Sequence, residues 1–349
     1  MGSPYLRVHE VIDAEIAHHY DPGSGTILLS RAHRFWGKIR GRSFAFSLPA
    51  SRLHPIFAST RLLRRLTRTD KSSAVFNAEG DGIVVIYRGV VFFYDLKKER
   101  LSEAACLWRS RNVLHCGIAV TRAGIFFGEY DANPRREEVP IWASYDDGRS
   151  FQSIYVFPPH HIRHVHGIYA DPFSPSLWIT SGDLEGECYL FEASDKGFHS
   201  LTRHGDGSQR WRTVALLFEP DALIWIMDSQ FQVPHLQRWK RGQSSLEEGQ
   251  AFPGPVWYIK RFLDGSAVAQ TTVELGPGCT SRSAHLWLSQ NLWDWQMIAS
   301  YEKDPWPMPW FKFGVIAFAE GPQPPDDFLI HGEALRHLDG KVLRVGIVS

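Results

Sequence analysis

Ser144-Tyr145-Asp146-Asp147-Gly148-Arg149-Ser150-Phe151 reads as a β-hairpin turn, residue by residue. An Asp side chain accepts hydrogen bonds from the N–H groups of its own turn, a Ser hydroxyl adds another, and Gly takes the positive φ that other residues resist. The closing aromatic packs beneath the hairpin. Two weaker copies follow. Ala193, Asp195, Gly197 and Phe198 keep the acid and glycine spacing without the Ser, with the aromatic two residues early. Ser289, Asn291, Trp293 and Trp295 carry an amide for the acid and Trp in place of Gly. The three starts lie roughly 49 and then roughly 96 residues apart, one and two periods of about 48, and the chain holds about seven such periods.

Short apolar runs alternate with turn residues from about Ser73 onward, as in antiparallel sheets. Gly82–Tyr87 and Val90–Asp95 form one hairpin around Arg88-Gly89. Residues 115–120, 124–130, 141–144 and 153–157 make four strands in about 45 residues, one full blade. Further units begin near His164, Trp211, Val256 and Phe313, and residues 15–20 and 26–30 supply another. The expectation is an all-β chain: a single β-propeller over residues 1–349 with seven four-stranded blades, six being the alternative. N- and C-terminal strands then close the ring in one blade, with residues 341–348 pairing with the N-terminal region, which hides edges that would otherwise pair with other chains.

The pattern Ser-x-Asp-x-Gly-x-x-Phe at Ser144, Asp146, Gly148 and Phe151 resembles the Asp-box, or BNR repeat, of sialidase-like β-propellers. The resemblance implies a fold and not a reaction. Sialidases of that family use an arginine triad, a Tyr and Glu pair, an Asp acid and an N-terminal Arg signature. That set has no convincing counterpart here, so sialidase activity is disfavoured. One segment departs from the strand rhythm: Ser59 to Arg68 has apolar residues at helical spacing with arginines between them. A short helical insertion at residues 55–70 with a solvated basic face is expected, and a site for an acidic polysaccharide or a membrane surface is the alternative.

With 349 residues, 44% of them hydrophobic, and zero formal net charge, the chain can bury a large core and encodes no global pull toward nucleic acid. Arg outnumbers Lys and Trp occurs 13 times, a combination suited to sugar carboxylates and sugar faces. Cys106, Cys116, Cys188 and Cys279 form no Cys-x-x-Cys pair, which excludes the usual structural zinc spacing and a disulfide framework. No run is long enough to span a membrane, and residues 1–7 lack a secretory apolar segment, which points to a cytoplasmic protein. Nucleophile elbow, Walker loop and dinucleotide fingerprint are all missing.

In a propeller, the loops entering each first strand and those joining second to third strands open on one face. The Ser144–Phe151 turn joins third to fourth strands and faces away, so Ser144, Asp146, Gly148 and Phe151 read as structural. On the functional face, strand alternation aims His164 and His166 to one side. They can hold a divalent metal with a third ligand such as His115, His235 or His331, or position substrate. No cofactor is otherwise required. Carboxylates follow the second strands at Glu129, Asp183, Asp228 and Glu333. Glu129 and Asp183 are the candidate proton donor and base or nucleophile of a glycosidase. His166 and Tyr130 are candidates for proton abstraction, while His115, Arg135, Arg136, His164, Asp228 and Glu333 would bind substrate. The expected function is a glycoside hydrolase acting on an oligosaccharide or polysaccharide, acidic ones included, in the central funnel. The alternatives are a uronate-specific polysaccharide lyase working by β-elimination, and a non-catalytic glycan- or protein-binding propeller.

Overall fold

The turn at Ser144–Phe151 forms as its residues require. In the computed structural model, which describes residues 3–49 and 59–348, the Ser144 hydroxyl donates to Asp146 Oδ1 at 2.8 Å and accepts from the Gly148 N–H at 2.7 Å. Asp146 also accepts from the Ser150 N–H and hydroxyl at 2.9 and 2.7 Å. Gly148 sits at φ +97°, and a Cβ there would come within 2.5 Å of Val84. Phe151 is buried with its ring 5.4 Å from Phe127. At the second copy, Asp195 accepts from the N–H groups of Gly197, His199 and Ser200 at 2.8 to 3.2 Å. At the third, Asn291 accepts from Trp293 and Asp294 at 2.9 and 2.8 Å. All three turns join the third and fourth strands of a sheet.

The described residues form seven four-stranded antiparallel sheets, and the chain is a seven-bladed β-propeller. The first blade comprises Ile16–Asp21, Thr26–Arg31, Arg34–Ile39 and Arg42–Ser47, and the second Ser73–Phe76, Gly82–Tyr87, Val90–Asp95 and Arg100–Cys106. The third comprises Ala119–Thr121, Gly124–Gly128, Val139–Ser144 and Gln152–Phe157, and the fourth Val165–Ala170, Leu177–Ser181, Cys188–Ala193 and Leu201–Gly207. Leu217–Phe218, Ala222–Ile226, His235–Lys240 and Leu246–Ala251 make the fifth; Val256–Arg261, Ala267–Thr271, Ser283–Ser289 and Gln296–Glu302 the sixth. The seventh joins Val315–Phe318, Phe328–Glu333 and Val342–Val348 to the N-terminal strand Tyr5–Ile12, in register from Tyr5↔Val348 to Ile12↔Val342. Both chain ends thus share one blade, but the N-terminal partner is Tyr5–Ile12 and not residues 15–20, which open a blade of their own.

Second strands such as Gly82–Tyr87 and Leu177–Ser181 are buried along their whole length, which is why they read as unbroken apolar runs. Fourth strands such as Arg100–Cys106 are largely exposed and correspondingly polar. The residues fall into two compact units, unit 1 with 1–70, 230–236 and 248–349, and unit 2 with 71–229 and 237–247. No helix among the described residues is long and apolar enough to cross a membrane.

The expected insertion is the helix Arg61–Thr67 in unit 1; residues 55–58 lie outside the described residues. The Thr60 hydroxyl caps it by accepting from the Leu63 N–H at 3.3 Å, and Arg68 ends it in the left-handed conformation. Of its arginines, Arg61, Arg64 and Arg65 are held in ion pairs and only Arg68 is exposed, which corrects the expected solvated basic face and withdraws those three as contacts for a polysaccharide or a membrane. Arg61 pairs with Asp70 at 2.8 Å and Asp339 at 3.1 Å, and Arg64 with Glu15 at 2.5 Å. Arg65, 2% exposed, pairs with Asp304 at 2.6 Å and donates to the Phe311 carbonyl. Acids distant in sequence gather around the helix, a grouping that no local pattern reports.

Unit 1 also carries a pH-sensitive seam. Arg344 grips Asp327 with two bonds of 2.7 and 2.6 Å, and the Tyr20 hydroxyl donates to the same carboxylate at 3.1 Å. The Arg344 hydrogen bond holds the Asp327 carboxyl below its usual range, while burial and then the Asp327 charge push the Tyr20 phenol up to about 12. The Asp327 contribution to stability is present above about pH 3.9 and is lost as the pH falls through its folded value. The Tyr20 contribution is present below about pH 10 and is lost between about pH 10 and 12. Tyr20→Phe is therefore expected to flatten the alkaline fall in urea midpoint and to weaken the acid limb only in part, because the Arg344 bond to Asp327 remains. An alkaline limb that keeps its slope in the variant would show that Tyr20 does not carry it.

Candidate functional site

Consecutive antiparallel strands alternate in direction, so connections from second to third strand and from fourth strand to the next blade emerge at the same end. In unit 2 that end collects the loops after Gly128 and Ser181 and those entering Ala119–Thr121 and Val165–Ala170. The Ser144–Phe151 turn lies at the opposite end, where the Asp147 carboxylate accepts from the Ala78 and Glu79 N–H groups at 2.9 and 3.2 Å.

His164, His166, Asp183 and Tyr130 come together, as their sequence positions suggest. His164 and His166, two residues apart at the head of the fourth blade, turn their imidazoles the same way beside a register shift between Val165 and Gly167. Each ring is 2% exposed as a residue. His164 Nδ1 meets the Asp131 carbonyl at 2.6 Å and His166 Nδ1 meets the Thr213 carbonyl at 2.9 Å. The two Nε2 atoms are 3.1 Å apart, and Asp183 Oδ1 is 3.2 Å from that of His166 and 3.4 Å from that of His164. Tyr130 covers the His164 ring at a centroid distance of 4.3 Å.

Two arginines that the sequence reading passed over complete the cluster. Arg163 donates to Asp183 Oδ2 at 2.8 Å, and Arg212 approaches Oδ1 at 3.1 Å and donates to the Asp183 carbonyl at 3.0 Å. Arg212 is itself paired with Asp228 at 3.2 Å, so Asp228 is a buried counter-charge here and not a substrate contact. Burial opposes ionisation of Asp183, but its hydrogen bonds and the Arg212 charge hold its carboxyl well below the usual range. Burial pushes the His164 imidazole down against the pull of Asp183. The only prior signal for the arginines is that Arg163 adjoins His164 and that Arg212 enters the next blade.

Glu129 is fully buried, and both its oxygens are already in use. Oε1 accepts from the Trp108 N–H at 2.7 Å and from Trp142 Nε1 at 3.1 Å, and Oε2 from the Arg109 and Ser110 N–H groups at 3.0 and 2.9 Å. A glycosidase acid needs an oxygen that reaches the leaving group. Glu129 instead shapes the loop 107–111, and Asp183, locked between guanidiniums, does not fit a proton donor either. That loop displays Trp108, which is 49% exposed.

The remaining candidates separate. Arg136 pairs with Glu187 and donates to the Asn133 carbonyl at 3.0 Å, which removes it as a free sugar clamp. Arg135 is exposed and, like Arg111, makes no ion pair among the described residues. His115 lies in the turn before Ala119–Thr121 and not on the strand. Glu333 meets Lys312 at 2.5 Å within unit 1. His235 also belongs to unit 1, where it meets the Gly249 carbonyl at 3.2 Å, and Asp183 takes the place expected for it beside the two histidines. In unit 1, His331 Nδ1 accepts from the Ala17 N–H at 3.4 Å. A second group of possible metal ligands, Glu79, Asp81 and Asp147, lies at the turn end and is occupied with backbone and Arg149 contacts.

No protein-family profile and no curated protein matches the chain in sequence. Among solved structures it is similar to "Structure of U3-55K", at 10% identity and a TM-score of 0.57 over 98% of both chains. It is also similar to a chain of "Crystal Structure of Mitotic Checkpoint Complex", at 9% identity and a TM-score of 0.57 over 98% of this chain and 94% of that one. At these identities the likeness shows a shared fold and nothing of ligand or reaction.

Proposed function

We propose that the protein binds an acidic glycan without cleaving it, through the end of unit 2 that presents Trp108, Arg111 and Arg135. The carrying observation is the loop that Glu129 builds: one buried carboxylate takes three consecutive backbone N–H groups and so fixes an exposed indole three residues ahead of the exposed Arg111. The Asn112↔Tyr130 bridge ties that loop to the one that carries Arg135. A flat indole matches the apolar face of a sugar ring, and a guanidinium fork matches a uronate carboxylate. The Asp-box-like turns at Asp146, Asp195 and Asn291 support kinship with Asp-box propellers, a resemblance that carries a fold and leaves the function open.

Uronate oligosaccharides should bind in calorimetry, and Trp108→Ala or the pair Arg111→Ala with Arg135→Ala should each weaken binding about tenfold or more, since a charge-assisted hydrogen bond is worth roughly 1.5–3 kcal/mol. Affinity should fall with added salt, because these groups are exposed. Equal binding of neutral and acidic oligosaccharides, or release of reducing ends over time, would defeat the reading. A second reading, elimination, is favoured by the packing of Tyr130 on His164. It requires a product with a new ultraviolet absorbance from uronate glycans, and that absorbance would replace the binding-only conclusion.

A further inference from the structure

We propose that His164, His166 and Asp183 form a binding site for a divalent first-row transition-metal ion, with Nε2, Nε2 and Oδ1 as its ligand atoms. The inference is independent of glycan binding and starts from hydrogens. A carbonyl oxygen only accepts, so the contacts of His164 Nδ1 with the Asp131 carbonyl and of His166 Nδ1 with the Thr213 carbonyl place a hydrogen on each Nδ1. Each neutral ring then carries its lone pair on Nε2. Those lone pairs face each other across 3.1 Å, and the third atom between them, Asp183 Oδ1, is another acceptor at 3.2 and 3.4 Å. Three acceptors converge with no imidazole hydrogen between them, in a place where both rings are almost completely buried. A cation at their centre turns this repulsion into attraction.

The dimensions suit a metal ion. Bonds of about 2.0–2.1 Å at near-tetrahedral angles separate ligand atoms by roughly 3.3 Å. The surrounding contacts also match what orients metal ligands: each Nδ1–H is fixed by a carbonyl, and Asp183 Oδ2 is held by Arg163 at 2.8 Å, which leaves Oδ1 turned to the imidazoles. Arg212 takes a second lone pair of Oδ1 and brings its own counter-charge in Asp228 at 3.2 Å. Two imidazoles and one carboxylate favour zinc, cobalt, iron or manganese over calcium or magnesium. Asp183 remains 16% exposed, which gives the ion a route in from solvent.

The test uses the full chain, stripped with a chelator and titrated with Co²⁺, whose visible absorption reports bound imidazole, followed by displacement with Zn²⁺. The expected result is a single ion per chain, with uptake lost in His164→Ala and His166→Ala and retained in His235→Ala. Arg163→Met should weaken Co²⁺ affinity by about 10- to 100-fold through Oδ2 alone. Asp183→Asn, which preserves shape, serves if a histidine variant does not fold, and should weaken affinity at least as much as Arg163→Met. Two results overturn the proposal: no uptake of Co²⁺ or Zn²⁺ by the folded parent chain, or uptake that persists unchanged in folded His166→Ala or Asp183→Asn. A strongly deshielded imidazole proton in a metal-free parent that refuses Co²⁺ would assign the cluster to a shared proton instead.

Discussion

Glu129→Gln is expected to destabilise the protein by on the order of 4 kcal/mol. The amide keeps one acceptor oxygen, which can serve Trp108 and Trp142. Its NH₂ group then faces the Arg109 and Ser110 N–H groups, which the carboxylate now receives at 3.0 and 2.9 Å. Two buried backbone donors are left without acceptors, each at about 1–3 kcal/mol, and the charge-assisted strength of the remaining bonds is lost as well. The measurement is urea unfolding of the two proteins side by side. Glycan affinity should fall with stability, because Glu129 is what holds the loop bearing Trp108. A variant with the parental unfolding midpoint would return Glu129 to the list of chemically active residues.

Lys312→Met is the second large effect, at about 3–5 kcal/mol. Lys312 is almost completely buried in unit 1, with its ammonium 2.7 Å from Asp70 and 2.5 Å from Glu333. Methionine fills the space of the stem but leaves two carboxylates in a poorly solvated site without the cation between them. Arg61 still pairs with Asp70 at 2.8 Å, so Glu333 is the more exposed to this loss. Adding Glu333→Gln to Lys312→Met should therefore recover part of the deficit, since it removes the charge left uncompensated. The double-mutant cycle reads this directly as a coupling of about 1 kcal/mol or more. Strict additivity of the two changes would mean that the pair is not coupled and that the ammonium acts only through packing.

The two variants probe opposite uses of buried charge. Around Glu129 a single carboxylate organises backbone, and the product is a loop with a defined shape. Around Lys312 and the helix Arg61–Thr67, ion pairs fasten an inserted segment to strands distant in sequence. Neither arrangement exposes a group for chemistry. The polar cluster that resists such an account is that of His164, His166 and Asp183, where two imidazole lone pairs and a carboxylate oxygen face one another.

What was legible in the sequence is what short-range forces decide. The Ser144–Phe151 turn, its two copies and the hairpin at Arg88-Gly89 were readable because each is closed by groups within a few residues of one another, with positive φ at Arg88, Gly89, Asp147 and Gly148. The sevenfold repeat was readable because every blade solves the same burial problem with the same alternation. His164 and His166 were readable as a pair because alternate residues near the head of a strand share a side. The fate of each charged group was not. Glu129 looked like a glycosidase acid until the folded chain brought it the N–H groups of residues about twenty positions earlier, and the arginines of the inserted helix looked solvated until Glu15, Asp304 and Asp339 closed on them. A side chain's type sets which partners it can accept; only the tertiary structure decides which ones arrive, because burial removes water as the default partner and leaves each charge to whatever the fold places beside it.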